Sequence, residues 1–205
     1  MDTLVYGDHM LYHSYLELLL GSKVKVKILR TLYRYKGKEF TVRELASFLD
    51  LSHMGIRKAL DDLYKMNAIR IRVIGKSHTV AINAESYAAD LIDKTFKIEE
   101  ETLGELLKLL KKRLNDPAIT SAMIFGSIAR GEEEPLSDID LFILTKDKEK
   151  AETAISELQG EVSHRFGNTI SPYILSKKEL TDKDKTRILE EIRKKHLVIC
   201  GKPLE

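Results

Sequence analysis

Two short stretches of the chain carry residue types that do chemistry. Gly126-Ser127 follows an apolar run, residues 119–125, of strand character and precedes a short helical turn. Backbone amides and the Ser127 hydroxyl therefore converge on one spot, and a glycine permitting close approach there makes a phosphate cradle. Arg130 lies on the same turn and adds positive charge. Further on, Asp138-Ile-Asp140 opens the strand-like run DIDLFIL (138–144). Residues i and i+2 of a strand share a face, so the two carboxylates sit side by side. Such a pair repels itself, and a divalent cation relieves the repulsion. Ile139 and Leu141 then point the other way, into a core. A phosphate cradle beside paired carboxylates is a layout for Mg²⁺ with a nucleoside triphosphate.

These residues need elements to position them. Residues 98–114 (IEEETLGELLKLLKKRL) read as a helix with acids at its start and cations at its end, matching the helix dipole. Leucines 103, 106, 107, 109 and 110 give it a buried face, and Asn115-Asp-Pro117 ends it. Residues 148–158 form a second helix with Ala151, Ala154, Ile155 and Leu158 inward. Residues 169–175 form a strand whose Pro172 places it at an edge or a bulge. A last helix over 181–195 precedes a small apolar strand at 197–200, which buries Cys200. Strands interleaved with helices over this length predict a small α/β domain with a short mixed sheet.

The amino-terminal half has a different pattern. Residues 22–35 alternate at first like a strand, but Val24, Ile28, Leu29, Leu32 and Tyr35 make a helical stripe behind Ser22 as N-cap. Thr41-Val-Arg-Glu44 is a capping box that opens a second helix with Leu45, Phe48 and Leu49 inward. Ser52 caps a third helix whose core is Ile56, Ala59, Leu60 and Leu63. The period then becomes two: Ile69, Ile71 and Val73, a turn at residues 75–78, and Val80 and Ile82 on the return. Three helices and a hairpin outline a winged helix-turn-helix. The residues placed to touch DNA are His53, Met54, Arg57 and Lys58 on the third helix, with Lys76, Ser77 and His78 at the hairpin tip. Asp61 and Asp62 on that helix would repel phosphate.

With these motifs in view, GSxARGE followed by SDIDL resembles the signature of the nucleotidyltransferases of the DNA polymerase beta superfamily, particularly the small prokaryotic minimal ones. The resemblance covers roughly residues 95–201. Behind a winged helix, it is similar to archaeal and bacterial regulators with that domain order. It implies that Ser127 with the Gly126 backbone holds the β and γ phosphates, that Asp138 and Asp140 hold Mg²⁺, and that Arg130 and Ser137 support them. The implied reaction moves a nucleoside monophosphate from a triphosphate, ATP foremost, to a hydroxyl of a protein, nucleic acid or small molecule. Active members carry a third carboxylate on a later, neighbouring strand. Here the corresponding strand, 168–175, has no acid, and Ser171 aligns with that place. Glu132, Glu133, Glu134 and Glu179 are the acids available to substitute. Two further readings follow from the resemblance. One is a transcription regulator whose second domain binds nucleotide without turnover, and the other is an antitoxin that modifies a partner toxin.

Composition limits the alternatives. The chain has 205 residues, is 43% hydrophobic and 32% charged, and has a single cysteine, which excludes an internal disulfide and a multi-cysteine zinc site. No run reaches the ~18 apolar residues of a membrane helix, and the first twenty residues lack a signal-peptide pattern, so a cytoplasmic location is expected. The formal charge of +2 is uneven: residues 1–85 hold 14 Lys and Arg against 9 Asp and Glu, and the rest hold 20 against 23. A basic first half points to an anionic partner, with DNA foremost. His9 and His13, at i and i+4, and Tyr6, Tyr12 and Tyr15 fit a surface or homodimer contact better than a metal site. The expected organisation is a two-domain chain: an α+β winged helix with a helical extension (1–84), a helical linker (85–97) and the nucleotidyltransferase-like α/β domain (98–205).

Overall fold

The computed structural model describes residues 14–75, 77–132, 137–181 and 186–204, and for His53 the backbone only. The chain divides between Glu100 and Glu101 into two compact units.

In the first unit, α1 (Tyr15–Leu20) and α2 (Lys23–Arg34) precede the two-residue strand β1 (Phe40–Thr41), α3 (Val42–Phe48), α4 (His53–Lys65) and the hairpin β2 (Ile69–Ile74) and β3 (Ser77–Ile82). The ambiguous stretch after Gly21 is helical because Ser22 accepts from the Lys25 amide and its apolar stripe has partners: Ile28, Leu29 and Leu32 are buried with Leu45, Ile56, Leu63 and Val80. The capping box holds in full: the Glu44 amide donates to the Thr41 hydroxyl at 3.1 Å and the Thr41 amide to the Glu44 carboxylate at 2.7 Å. That carboxylate is held below its ordinary range by these bonds. Ser52 caps α4 through the Gly55 amide. The sheet has an unforeseen third member, β1, which pairs antiparallel with β3, giving the order β1-β3-β2. Two residues expected inward are outside: Tyr35 and Phe48 are exposed, Tyr35 packing edge-on against both Phe48 and Phe40, and Phe48 tilted against Phe40.

Helix α5 (Tyr87–Arg113) runs without a break where a linker and a separate helix were expected, since neither proline nor a strong turn signal interrupts residues 87–103. Its first part, to Glu100, belongs to the first unit. There Ile92 and Phe96 join the core, and Arg30 forks onto Glu99 at 2.6 and 2.7 Å.

The second unit contains the rest of α5, β4 (Ile119–Ile124), the short α6 (Gly126–Arg130), β5 (Ile139–Thr145), α7 (Lys148–Phe166), β6 (Ile170–Ser176), a 3-10 turn (Lys177–Thr181), α8 (Thr186–Lys194) and β7 (Leu197–Gly201). Its sheet has the order β6-β5-β4-β7 and is mixed: β5 and β6 are parallel, the other pairs antiparallel. Pro172 lies in the edge strand β6, where a missing amide donor is tolerated. Residue parity separates the two faces. Ala122, Ile124, Ile139, Leu141 and Ile143 pack with α5 and α7, while Met123, Phe125, Phe142 and Leu175 pack with Leu189 and Ile192 of α8. Cys200 is half-buried, its Sγ faces the Leu114 carbonyl, and burial pushes its thiol up. Among the described residues no helix is long and apolar enough to cross a membrane.

Thr41→Ala removes the hydroxyl half of the capping box. We expect it to lower the unfolding free energy of the first unit by about 1 kcal/mol, read as a shift in the urea midpoint with unchanged slope.

Candidate functional site

Strand register builds the site. Antiparallel pairing sets Ile124 opposite Leu141, and the Phe125 amide then donates to the Asp140 carbonyl at 3.0 Å. The next residue is Gly126, in the left-handed region at φ +69°. A Cβ there would lie 1.9 Å from Asp140 Oδ2, so the turn and the carboxylate touch only because position 126 has no side chain. Thus Gly126, Ser127 and Asp140 are brought together. Asp138 precedes β5 by one residue and is exposed, whereas Asp140 is half-buried. Ile139 and Leu141 are fully buried on the opposite face, as the alternation predicted. The entry to β5 is pinned by Asn168, whose side-chain amide donates to the Ser137 carbonyl at 2.9 Å, and by the Ile139 amide to the Thr169 carbonyl at 2.7 Å.

On the other side of β5, Asp140 is in register with Ser171 of the parallel strand β6. Ser171 therefore occupies the neighbouring-strand position, on the aspartates' face, and that position is neutral. Of the acids considered as substitutes, Glu179 lies beyond the far end of β6, bound to Lys148 and to Ser176. Glu132 is bound to Arg130. Glu133 and Glu134 lie outside the described residues.

The acid that sequence reasoning missed is Glu191 on α8. Burial first, then the charges of Glu191 and Asp138, push the Asp140 carboxyl above its ordinary range, and Arg130 pulls the other way. Glu191 accepts from Arg130 Nη1 at 2.8 Å, and Arg130 Nε donates to Glu132 at 2.7 Å. The only sequence signal for Glu191 is its place beside Ile192 on an amphipathic helix, which says nothing of which strand that helix covers.

Hard carboxylate oxygens suit Mg²⁺. Asp138 and Asp140 are donors of that kind, and at Asp140 burial first, then the charges of Glu191 and Asp138, work against the lone carboxylate more than Arg130 offsets. Among the described residues no group of three or more His, Cys, Asp and Glu is arranged to hold a metal ion.

In the first unit, α3, α4 and β3 frame a concavity of about 490 Å³ lined by Thr41, Arg43, Arg57, Asp61, Ser77 and His78. Arg57 and His78 thus line one concavity, together with Arg43, which the sequence reading did not single out. Lys58 is exposed on α4 and does not line the concavity. Asp62 turns away to an ion pair with Lys25 at 2.7 Å. Lys76, His9, His13, Tyr6 and Tyr12 and the side chain of His53 are outside the described residues.

Gly126→Ala forces Cβ into the Asp140 carboxylate and an L-residue into positive φ. We expect about 1–3 kcal/mol of destabilisation, seen as a lowered thermal midpoint of the second unit, whereas Gly131→Ala, with open space around its Cβ, suffers the backbone strain alone and loses less.

The Methanocaldococcus jannaschii protein MJ1305, to which a protein adenylyltransferase activity is ascribed by name, is 31% identical over 89 residues, 42% of this chain. The chain spans 60% of the length of that curated relative. Among solved structures, a toxin–antitoxin pair with AMP-PNP is 19% identical, with 49% of this chain and 74% of that one covered and a TM-score of 0.35. The spectinomycin adenyltransferase AAD(9) of Enterococcus faecialis is 18% identical over 50% and 56% of the two chains, with a TM-score of 0.38. The winged helix-turn-helix DNA-binding domain Mb0332 of Mycobacterium bovis is 19% identical over 44% and 81%, also with a TM-score of 0.38. Residues 105–203, which include Gly126, Ser127, Asp138 and Asp140, match the polymerase beta nucleotidyltransferase family.

Proposed function

We propose that the second unit transfers a nucleoside monophosphate from a nucleoside triphosphate, ATP foremost, to a hydroxyl acceptor. The observation that carries this reading is the contact of the Gly126-Ser127 turn with Asp140, on the strand that Asp138 enters, inside the segment matched to the family. Gly126 exposes backbone to the phosphates, and the half-buried Ser127 hydroxyl orients them. Asp138 and Asp140 would hold Mg²⁺, which when bound offsets triphosphate charge and polarises the α-phosphate. In the transfer, the acceptor hydroxyl gives its proton to solvent water as its oxygen bonds to the α-phosphorus. The bond from that phosphorus to the β-bridging oxygen breaks, and pyrophosphate leaves with the electron pair. A protein hydroxyl is the acceptor class supported by the name of the M. jannaschii relative. The neutral Ser171 at the neighbouring-strand position bears on how fast the acceptor proton is removed, not on whether triphosphate binds.

Calorimetry with ATP and Mg²⁺ tests the site. Wild-type protein should bind, and Asp138→Asn with Asp140→Asn should weaken binding by about tenfold or more, roughly 1.4 kcal/mol. Label from α-labelled ATP should reach a protein acceptor with wild type only. Equal binding by the double variant removes the aspartates from the site.

A second reading concerns the first unit: a winged helix that contacts DNA. Its support is that Arg43 and Arg57, from separate helices, line one concavity with His78, and no ion pair engages either arginine among the described residues. Arg43→Ala with Arg57→Ala should weaken duplex binding and lower the salt slope by about one per cation lost. An unchanged slope would set this reading aside.

A further inference from the structure

Arg130 stands on the turn that begins at Gly126-Ser127, yet its guanidinium is already engaged by carboxylates. Nε donates to Glu132 at 2.7 Å and Nη1 to Glu191 at 2.8 Å. The two acids differ in how they are held. Glu132 is two residues away and moves with the same turn, where its amide also donates to the Ser127 carbonyl at 3.0 Å. Glu191 comes from a separate element, α8, which is anchored to the sheet by buried Leu189 and Ile192. The neighbouring Lys195, just beyond the end of α8, donates to the Arg130 carbonyl at 3.3 Å. Arginine thus ties the cradle turn to α8 by two bonds at its two ends, one charged at each partner and one to the backbone.

A guanidinium shared by two carboxylates is more than neutralised. At Asp140 the charges of Glu191 and Asp138, among the described residues, outweigh that of Arg130. Arginine binds phosphate through the same planar fork that it uses for carboxylate, so the two anions are alternatives at one set of donors. We propose that Glu191 competes with the triphosphate for Arg130, so that nucleotide binding exchanges the Arg130–Glu191 bond for an Arg130–phosphate bond. Glu191 is then a positioning residue that sets nucleotide affinity through Arg130. Its release leaves a carboxylate on the face that carries Asp138 and Asp140, where the strand position beside Asp140 holds only Ser171. The proposal rests on the nucleotidyltransferase reading above.

The size of the effect follows from the pair's exposure: Arg130 and Glu191 are 40% and 50% exposed at their side chains, and such pairs shift an equilibrium by roughly two- to fivefold. The test is calorimetric titration of the full chain, with Mg²⁺, using an ATP analogue that has methylene at the α,β bridge. Glu191→Gln should tighten binding by about two- to fivefold, and Glu191→Asp should restore part of the wild-type affinity. Glu190→Gln removes the same charge from α8 without touching Arg130 and should leave affinity unchanged. In an Arg130→Gln background, Glu191→Gln should change nothing. The same tightening in that background, or from Glu190→Gln, would make the effect one of overall charge and overturn the proposal. So would unchanged or weaker binding by Glu191→Gln at an unchanged thermal midpoint. If wild type binds the analogue and only the Glu191 pattern fails, the nucleotidyltransferase reading stands without this inference. If wild type binds no triphosphate, both fall.

Discussion

The second unit depends on one close approach, that of the Gly126 backbone to the Asp140 carboxylate. No residue with a Cβ fits there, since the added carbon would stand 1.9 Å from Asp140 Oδ2. The approach is fixed by pairing on both sides: β4 against β5 places the Phe125 amide on the Asp140 carbonyl, and the parallel β6 holds the other edge of β5 in register from Ile139 to Thr145. A slip of one residue would turn Asp138 and Asp140 into the α5–α7 core and Ile139 and Leu141 toward α8. Burial on both faces makes that slip costly, so the hydrophobic pattern that folds the sheet also aims the carboxylates.

The same parity decides which helix meets the site. Even-numbered residues of β5, beginning at Asp140, share a face with Phe142, and Leu189 and Ile192 of α8 pack on that face. Glu191 therefore arrives beside the aspartates as a by-product of core packing. Its charge raises the Asp140 carboxyl alongside burial, and its bond to Arg130 returns some of that charge to neutrality. The chemistry-bearing groups are electrostatically linked: Glu132 and Glu191 share Arg130 by hydrogen bonds, and Asp140 feels the charges of Glu191, Asp138 and Arg130.

The first unit is organised by helix caps and by a three-stranded sheet. Ser22, Thr41 and Ser52 each satisfy amides at the start of a helix that would otherwise be orphaned. Thr41 also ends β1, so one residue closes the sheet's short strand and opens α3. Glu39, just before β1, binds both Arg72 of β2 and Thr79 of β3, which ties that entry to both strands of the hairpin. Arg43 of α3 and Arg57 of α4 line one concavity beside the hairpin.

Local signals are what the sequence determined. Caps, periods of 3.6 and 2.0, and the Gly-Ser and Asp-Ile-Asp motifs act within a few residues, so the helices, the hairpin and the burial of Ile139 and Leu141 were legible before any contact was known, while Pro172 left an edge or a bulge open. The family resemblance put Ser171 on the strand next to the aspartates, whereas its parallel register with Asp140 is a fact of the sheet. What only tertiary structure decided are relations between distant residues. These include the β1 pairing with β3, the exposure of Tyr35 and Phe48, the placing of Arg43 and Arg57 along one concavity, and the arrival of Glu191 at Arg130, 61 residues away in the chain. Glu179, weighed from sequence as a substitute acid, lies beyond the far end of β6, bound to Lys148. The reason is physical: an exposed charge contributes too little to folding to leave a pattern in its own segment, so its partner is fixed by how buried neighbours such as Leu189 and Ile192 dock the helix that carries it.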